Sequence, residues 1–232
     1  MVDHLYMDQK PLVVSASEVL SVMCPALAEG RLGQALDQAR KLWTLDEILP
    51  LLQHETVDVR KVVLLILGHM QDPRALPGLA QGLRDADPVV VQMAEHAWWT
   101  LLFSLGQGTA PSQVLKGVDL LEQGDLAQAI QCFDAALQDD PNFIEAYHQR
   151  AMAKYLLDDY SPALADCRAA LALLPDHFGA WGTMGNCYVG QHDWLQARAA
   201  YLNSLALHPH QEGIITALNK VGIILRAPNK SV

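Results

Sequence analysis

The sequence is short of long apolar runs. Its longest wholly apolar stretches, Val62–Leu67 and Ala169–Leu174, are far below the ~20 residues a membrane-spanning helix needs, so no membrane insertion is expected. Basic residues are scarce as well: 16 Lys and Arg stand against 26 Asp and Glu, a net charge of −10 over 232 residues. The excess is even, with 13 acids and 8 bases in residues 1–109 and the same in residues 110–232. Such a surface has no general attraction for phosphate backbones or anionic lipid, so no nucleic acid partner is expected. Four cysteines, Cys24, Cys132, Cys167 and Cys187, form no C-x-x-C pair and fall within helical patterns. That usage fits small buried thiols in a reducing compartment. The opening MVDHLYMDQK carries acids and no basic leader, so a cytoplasmic location is expected.

Catalytic signatures are missing too: there is no HExxH, no GxGxxG between strand and helix, no GxxxxGK[ST] and no GxSxG. No catalytic residue, cofactor or metal ion is therefore expected, and the reading is of a non-enzyme. Of the nine histidines, His208 and His210 flank Pro209, and His4, His54, His69, His96, His177 and His192 lack a second ligand at a useful helical spacing; these read as surface or turn side chains. What the chain does hold is apolar material, 51% hydrophobic against 18% charged, enough to bury a core.

That material is periodic. Pro141, Pro175 and Pro209 recur with a period of 34, and Ala129, Ala163 and Ala197 share it. Each proline follows an alanine-rich amphipathic stretch (AQAIQCFDAALQDDP, SPALADCRAALALLP, LQARAAYLNSLALHP). Small residues let two helices cross closely, and proline stops the second helix and sets the turn to the next unit. The repeating unit is thus a helical hairpin.

These residues resemble the tetratricopeptide (TPR) repeat, a pair of antiparallel helices. The third unit carries Trp181, Gly185, Tyr188, Ala197, Tyr201, Ser204 and Pro209 at the family's marked positions; the first carries Gly117, Leu120, Ala129, Phe133, Ala136 and Pro141, and the second Tyr147, Ala151, Ala163, Cys167, Ala170 and Pro175. Gln113, Lys154 and Ser204 depart from the pattern. Three units over 110–211 are followed by an amphipathic stretch in 212–232, expected to cap the open end of the array.

Upstream the period changes to 31. Leu45 pairs with Leu76, Ile48 with Leu79, Leu52 with Leu83, Val59 with Val90 and Val63 with Ala94. The two units in 44–105 resemble short HEAT-like repeats of the kind found in phycobilisome lyases, although Asp85 answers to His54 and Arg60 to Val91. Two capping boxes, Ser15/Glu18 and Thr44/Glu47, mark helix starts; residues 1–43 are expected to form an N-terminal cap with a helical pair broken near Pro25 and Gly30, its first dozen residues frayed. The segment EAYHQRAMAKYLLDDYSPALADCRAALALLPDHFGAW also resembles a group of bacterial TPR proteins with HEAT-like N-terminal repeats. The expected fold is all-α, about twelve helices in one continuous right-handed α-solenoid, with Trp98, Trp99 and Phe103 packed at the joint between the HEAT-like and TPR units.

A solenoid of this kind presents a concave face for a peptide. The resemblance implies that the second, fifth, ninth and twelfth residues of each unit line it. These are Pro111, Val114, Val118 and Leu121, then Glu145, His148, Met152 and Tyr155, then Gly179, Gly182, Asn186 and Val189, with Lys220 on the capping helix. The co-chaperone members of the family grip a C-terminal carboxylate with Lys, Asn and Arg at such positions. Here Val114, Val118, Gly182 and Asn186 stand there instead, so that clamp is largely missing. The expected site comprises Val114, Val118, His148, Met152, Tyr155, Gly182, Asn186, Val189 and Lys220, with Gly182 leaving open space for the ligand, and the expected function is a scaffold or adaptor for a protein or peptide partner. The alternative is a bilin lyase-like or lyase-accessory role through the HEAT-like half. Arg150 and Asp166, on facing helices of one hairpin, are expected to pair.

Overall fold

Why each helix begins and ends where it does is written in its caps. In the computed structural model, which describes residues 14–226, the Ser15 hydroxyl accepts from the Glu18 N–H while the Glu18 carboxylate accepts from the Ser15 N–H at 3.0 Å. This opens α1 (Ala16–Ala28), followed by α2 (Leu32–Leu42). The expected break at Pro25 does not occur: α1 runs through it to Ala28. Pro25 lies in the last turn, where a proline removes only one hydrogen bond from the ladder. The fraying expected of the first dozen residues concerns positions outside the described ones.

A second capping box at Thr44 starts α3 (Leu45–Ile48), which tightens at Pro50 into a 3₁₀ turn over Leu49–Gln53. Then come α4 (Val57–His69), α5 (Leu76–Gly82) after a 3₁₀ turn at Pro73–Ala75, and α6 (Pro88–Ser104). All ten residues paired by the upstream period are buried. The two departures from that repeat turn out to be a single interaction. Arg60 of the first unit donates through Nε and Nη2 to the two oxygens of Asp85 in the second, at 2.8 and 3.0 Å, and through Nη1 to the His54 and Glu55 carbonyls. The arginine reaches forward by one repeat; position 54 has no preceding arginine to receive, and position 91 has no following aspartate to reach.

The second half is more regular. Helices α7 (Ala110–Glu122), α9 (Ile144–Leu156), α11 (Phe178–Gly190) and α13 (Glu212–Arg226) alternate with α8 (Leu126–Asp139), α10 (Tyr160–Leu173) and α12 (Trp194–Leu207). Ala110, Ile144, Phe178 and Glu212 start the odd-numbered helices with the period of the prolines. Between the helices of each hairpin, Gly124, Asp158 and His192 hold the same left-handed conformation, φ 82°, 59° and 59°, which turns the chain sharply at a helix end. A methyl group on Gly117 would run into the Phe133 ring, and one on Gly185 into the Tyr201 ring. The marker alanines Ala129, Ala163 and Ala197 are fully buried.

The described residues therefore form thirteen α-helices, one more than expected, with two 3₁₀ turns and no strand. They divide into two compact units, one ending at Leu101 and the other beginning at Leu102, so the division falls inside α6. Trp98 is buried, and Phe103 packs edge-on against Phe143 at 6.1 Å. Cys132, Cys167 and Cys187 are buried free thiols, whereas Cys24 is exposed. Burial pushes the Cys187 thiol up to about 12, which removes it as a nucleophile at neutral pH.

Candidate functional site

The odd-numbered helices α7, α9 and α11 pack side by side, and the expected site residues sort into two tiers along them. At the fifth position of each unit, Val114, His148 and Gly182 are buried. At the ninth and twelfth positions, Val118, Met152, Tyr155, Asn186 and Val189 are part-exposed, and Lys220 on α13 is exposed. Only the outer tier is open to a ligand.

Two expectations are corrected by this sorting. The space beside Gly182 is occupied, because Ile214 of α13 lies 3.1 Å from where a methyl on Gly182 would sit. Helix α13 thus covers the Gly182 position. His148, expected to meet a ligand, is instead enclosed with Glu145 and His177.

That enclosed group is built from two helices. Glu145 and His148 lie three residues apart on α9, one turn along the same face, and His177 is the residue that caps α11. The Glu145 carboxylate accepts from Gln149 Nε2 at 2.7 Å, from His148 Nδ1 at 3.2 Å and from His177 Nε2 at 3.4 Å. His177 Nδ1 accepts the Ala180 N–H at 3.0 Å, so the proton of its neutral ring sits on Nε2 and faces Glu145. Burial opposes the charge on Glu145, but the His148 charge and the hydrogen bonds from both histidines overcome it and hold the carboxyl well below the usual range. Burial keeps His177 below its ordinary value, against the pull of Glu145.

The three ligand atoms lie within 4.8 Å of one another, a spacing compatible with a metal ion. The proton on His177 Nε2 argues otherwise, since coordination there would require removing it while Nδ1 still accepts from the backbone. The residues suit a satisfied buried carboxylate that ties α9 to α11. His177 and His208 were both expected as surface or turn side chains; both are buried, His208 with its ring edge-on to Phe178 at 5.1 Å. The i, i+3 spacing of Glu145 and His148 was visible in the sequence, and so was the shared register of Phe143, His177 and Gln211, one repeat apart from each other at the helix starts.

In the outer tier, Tyr155 leans on Tyr160 at 6.2 Å and borders a core of Ala151, Cys167 and Met184. Asn186 Oδ1 accepts from the Tyr201 hydroxyl at 2.7 Å, and its amide nitrogen donates no bond shown among the described residues. Val189 borders the cluster that joins α11 and α12 to α13. On the far side of α9, Arg150 pairs with both oxygens of Asp166 at 2.8 and 2.6 Å, as expected, and also with Asp134 at 2.5 Å, while Lys154 adds a bond to Asp166 at 2.7 Å. Burial opposes the Arg150 charge, but these carboxylates outweigh it and raise the group above its ordinary value. This network pins the first and second hairpins together.

Residues 117–158 match the family model of the TPR repeat. Over these residues the chain is similar to a tetratricopeptide repeat. Among curated proteins, 103 residues are 32% identical to the Hsp70-Hsp90 organizing protein of Triticum aestivum, covering 44% of this chain and 18% of that protein; the chain thus spans under a fifth of that relative's length. The first TPR domain of human RPAP3 resembles it at 26% identity and a TM-score of 0.50, over 50% of this chain and 92% of the domain. A structure described as the first TPR of Spaghetti (RPAP3) bound to the HSP90 peptide SRMEEVD matches at 24% identity and a TM-score of 0.50, over 52% of this chain and 98% of that one, which shows likeness of fold.

Proposed function

We propose that the protein is a non-enzymatic adaptor that holds a peptide of a partner protein against the outer tier of its TPR face. The observation that carries this reading is the two-tier arrangement: a closed polar floor of Glu145, His148 and His177 beneath an open row of Val118, Met152, Tyr155, Asn186 and Val189. A rigid floor keeps the row in one geometry, so little entropy is lost when a ligand binds. Met152 and Tyr155 offer adaptable apolar contact, and the amide N–H groups of Asn186 can donate to a peptide carbonyl. The names of the T. aestivum relative and of the peptide-bound neighbour agree with peptide recognition as the use of the fold.

The ligand differs from an acidic C-terminus. Val114 is buried, Val118 is apolar, and Lys220 is the one lysine or arginine among the expected site residues, so affinity should rest on apolar area and main-chain bonds and depend weakly on salt. No observation favours the lyase-like alternative for residues 44–105. The test is titration of a captured partner peptide against Tyr155→Ala and Asn186→Ala. Each should lose on the order of 1–3 kcal/mol of binding with helicity intact by circular dichroism, and unchanged affinity in both would refute the site.

A further inference from the structure

Among the described residues, helix α13 has no second helix of its own hairpin packed against it. The eighth residue of each unit faces the second helix of its own hairpin: Gly117 lies under Phe133 and Gly185 under Tyr201. The same register position in α13 is Asn219, which is exposed. On this side a cleft of about 420 Å³ runs between α12 and α13, lined by Arg198, Leu202, Leu218, Asn219, Ile223 and Arg226. Leu202 is 44% exposed and Ile223 69% exposed, the second a large apolar area to leave in water. Gly222 sits in the cleft with nothing within 4 Å of where a methyl would be.

The charge of the cleft is opposite to that of the chain. The protein carries −10, yet two arginines and no carboxylate line the cleft, and neither guanidinium is paired with an acid among the described residues. An apolar floor with two guanidinium groups on its rim selects a ligand with aliphatic side chains on one face and acids beside them. The register selects its shape, because in the three complete units this face receives a helix. Asn219, in place of glycine or alanine, keeps an aromatic ring from packing as Phe133 and Tyr201 do, so the incoming side chains are aliphatic.

We infer that the α12–α13 cleft is a second docking site, which receives an acidic amphipathic helix of a partner protein, its Leu or Ile side chains on Leu202, Leu218 and Ile223 and its carboxylates on Arg198 and Arg226. This site lies apart from Met152, Tyr155 and Asn186, and its salt dependence is the reverse of theirs.

The probe is a fluorescein-labelled helical peptide, EALLDEILEALEDA, with its amide counterpart, QALLNQILQALQNA, titrated into the full chain by fluorescence anisotropy. The acidic peptide should bind and the amide one should bind at least about tenfold more weakly. Arg198→Ala and Arg226→Ala should each weaken the acidic peptide about threefold at low salt, and Leu202→Ser or Ile223→Ser about tenfold; all four positions are exposed, so folding should be preserved. Raising ionic strength from about 10 mM to about 150 mM should erase most of the arginine effect. Equal binding of both peptides, binding of neither, or indifference to the arginine variants would overturn the proposal. So would sedimentation showing self-association of the chain that Ile223→Glu abolishes, which would assign the cleft to a second copy.

Discussion

Removing the carboxylate of Glu145 tests the reading of the buried group as a structural clamp. In Glu145→Ala, the His148 and His177 donors and the Gln149 amide lose their shared acceptor. A buried donor left unsatisfied costs ~1–3 kcal/mol. Two such histidine donors, partly offset because a charge no longer has to be desolvated, give a net loss of about 3 kcal/mol. Glu145→Gln keeps one acceptor oxygen and should lose about half as much. Urea unfolding followed by far-ultraviolet circular dichroism measures both, and hydrogen exchange should show the loss concentrated in α9 and α11. On a His177→Gln background, which copies the residue found naturally at the equivalent position 211, the effect of Glu145→Ala should shrink by about 1 kcal/mol, since the two share one network. The pH dependence has a defined sign. His177 has a folded value below its ordinary 6.5, so the unfolded chain binds more protons and stability falls as pH drops below about 6.5. Glu145, lowered from 4.5, contributes stability that is present above pH 4.5 and is lost as pH falls through its folded value. A loss in Glu145→Ala of under about 0.5 kcal/mol, the size of an ordinary surface substitution, or strict additivity with His177→Gln, would refute the clamp.

Three further outcomes follow from other contacts. Arg150→Met should cost about 2–4 kcal/mol, because it strands Asp166, only 7% exposed, with Lys154 as its remaining partner; Asp166→Asn in the same background should recover part of it in chemical denaturation. Gly185→Ala should destabilise by about 1–3 kcal/mol by driving a methyl into the Tyr201 ring, and the double variant Gly185→Ala/Tyr201→Leu should melt higher than the single one. Asp85→Ala should leave the Arg60 fork without its acid and cost about 1–2 kcal/mol, whereas Val91→Ala in the same hairpin should leave that bond intact.

The repeat architecture was legible because its markers are local and recur. A proline that ends a helix and an alanine where helices cross each act within a few residues, and a period of 34 multiplies the signal. Arg60 and Asp85 were legible as anomalies of the upstream pattern, but their pairing across repeats needed the packed structure. The Glu145, His148 and His177 group was not read as a unit, because burial of polar side chains is decided by tertiary enclosure and the two segments lie 32 residues apart. The filling of the Gly182 space was hidden for a related reason: Ile214 belongs to the capping helix, whose docking angle no local pattern specifies.

The central claim is that a partner peptide lies on the outer tier of the TPR face. Replacing Tyr155 with a photo-crosslinking phenylalanine, and in a second variant the 40%-exposed Leu173 on α10, then irradiating both in the native host and mapping adducts by mass spectrometry, tests it most directly. The account predicts a discrete adduct from position 155 that Asn186→Ala suppresses, and none from position 173. An adduct from position 173 alone, or one from position 155 indifferent to Asn186→Ala, would contradict it.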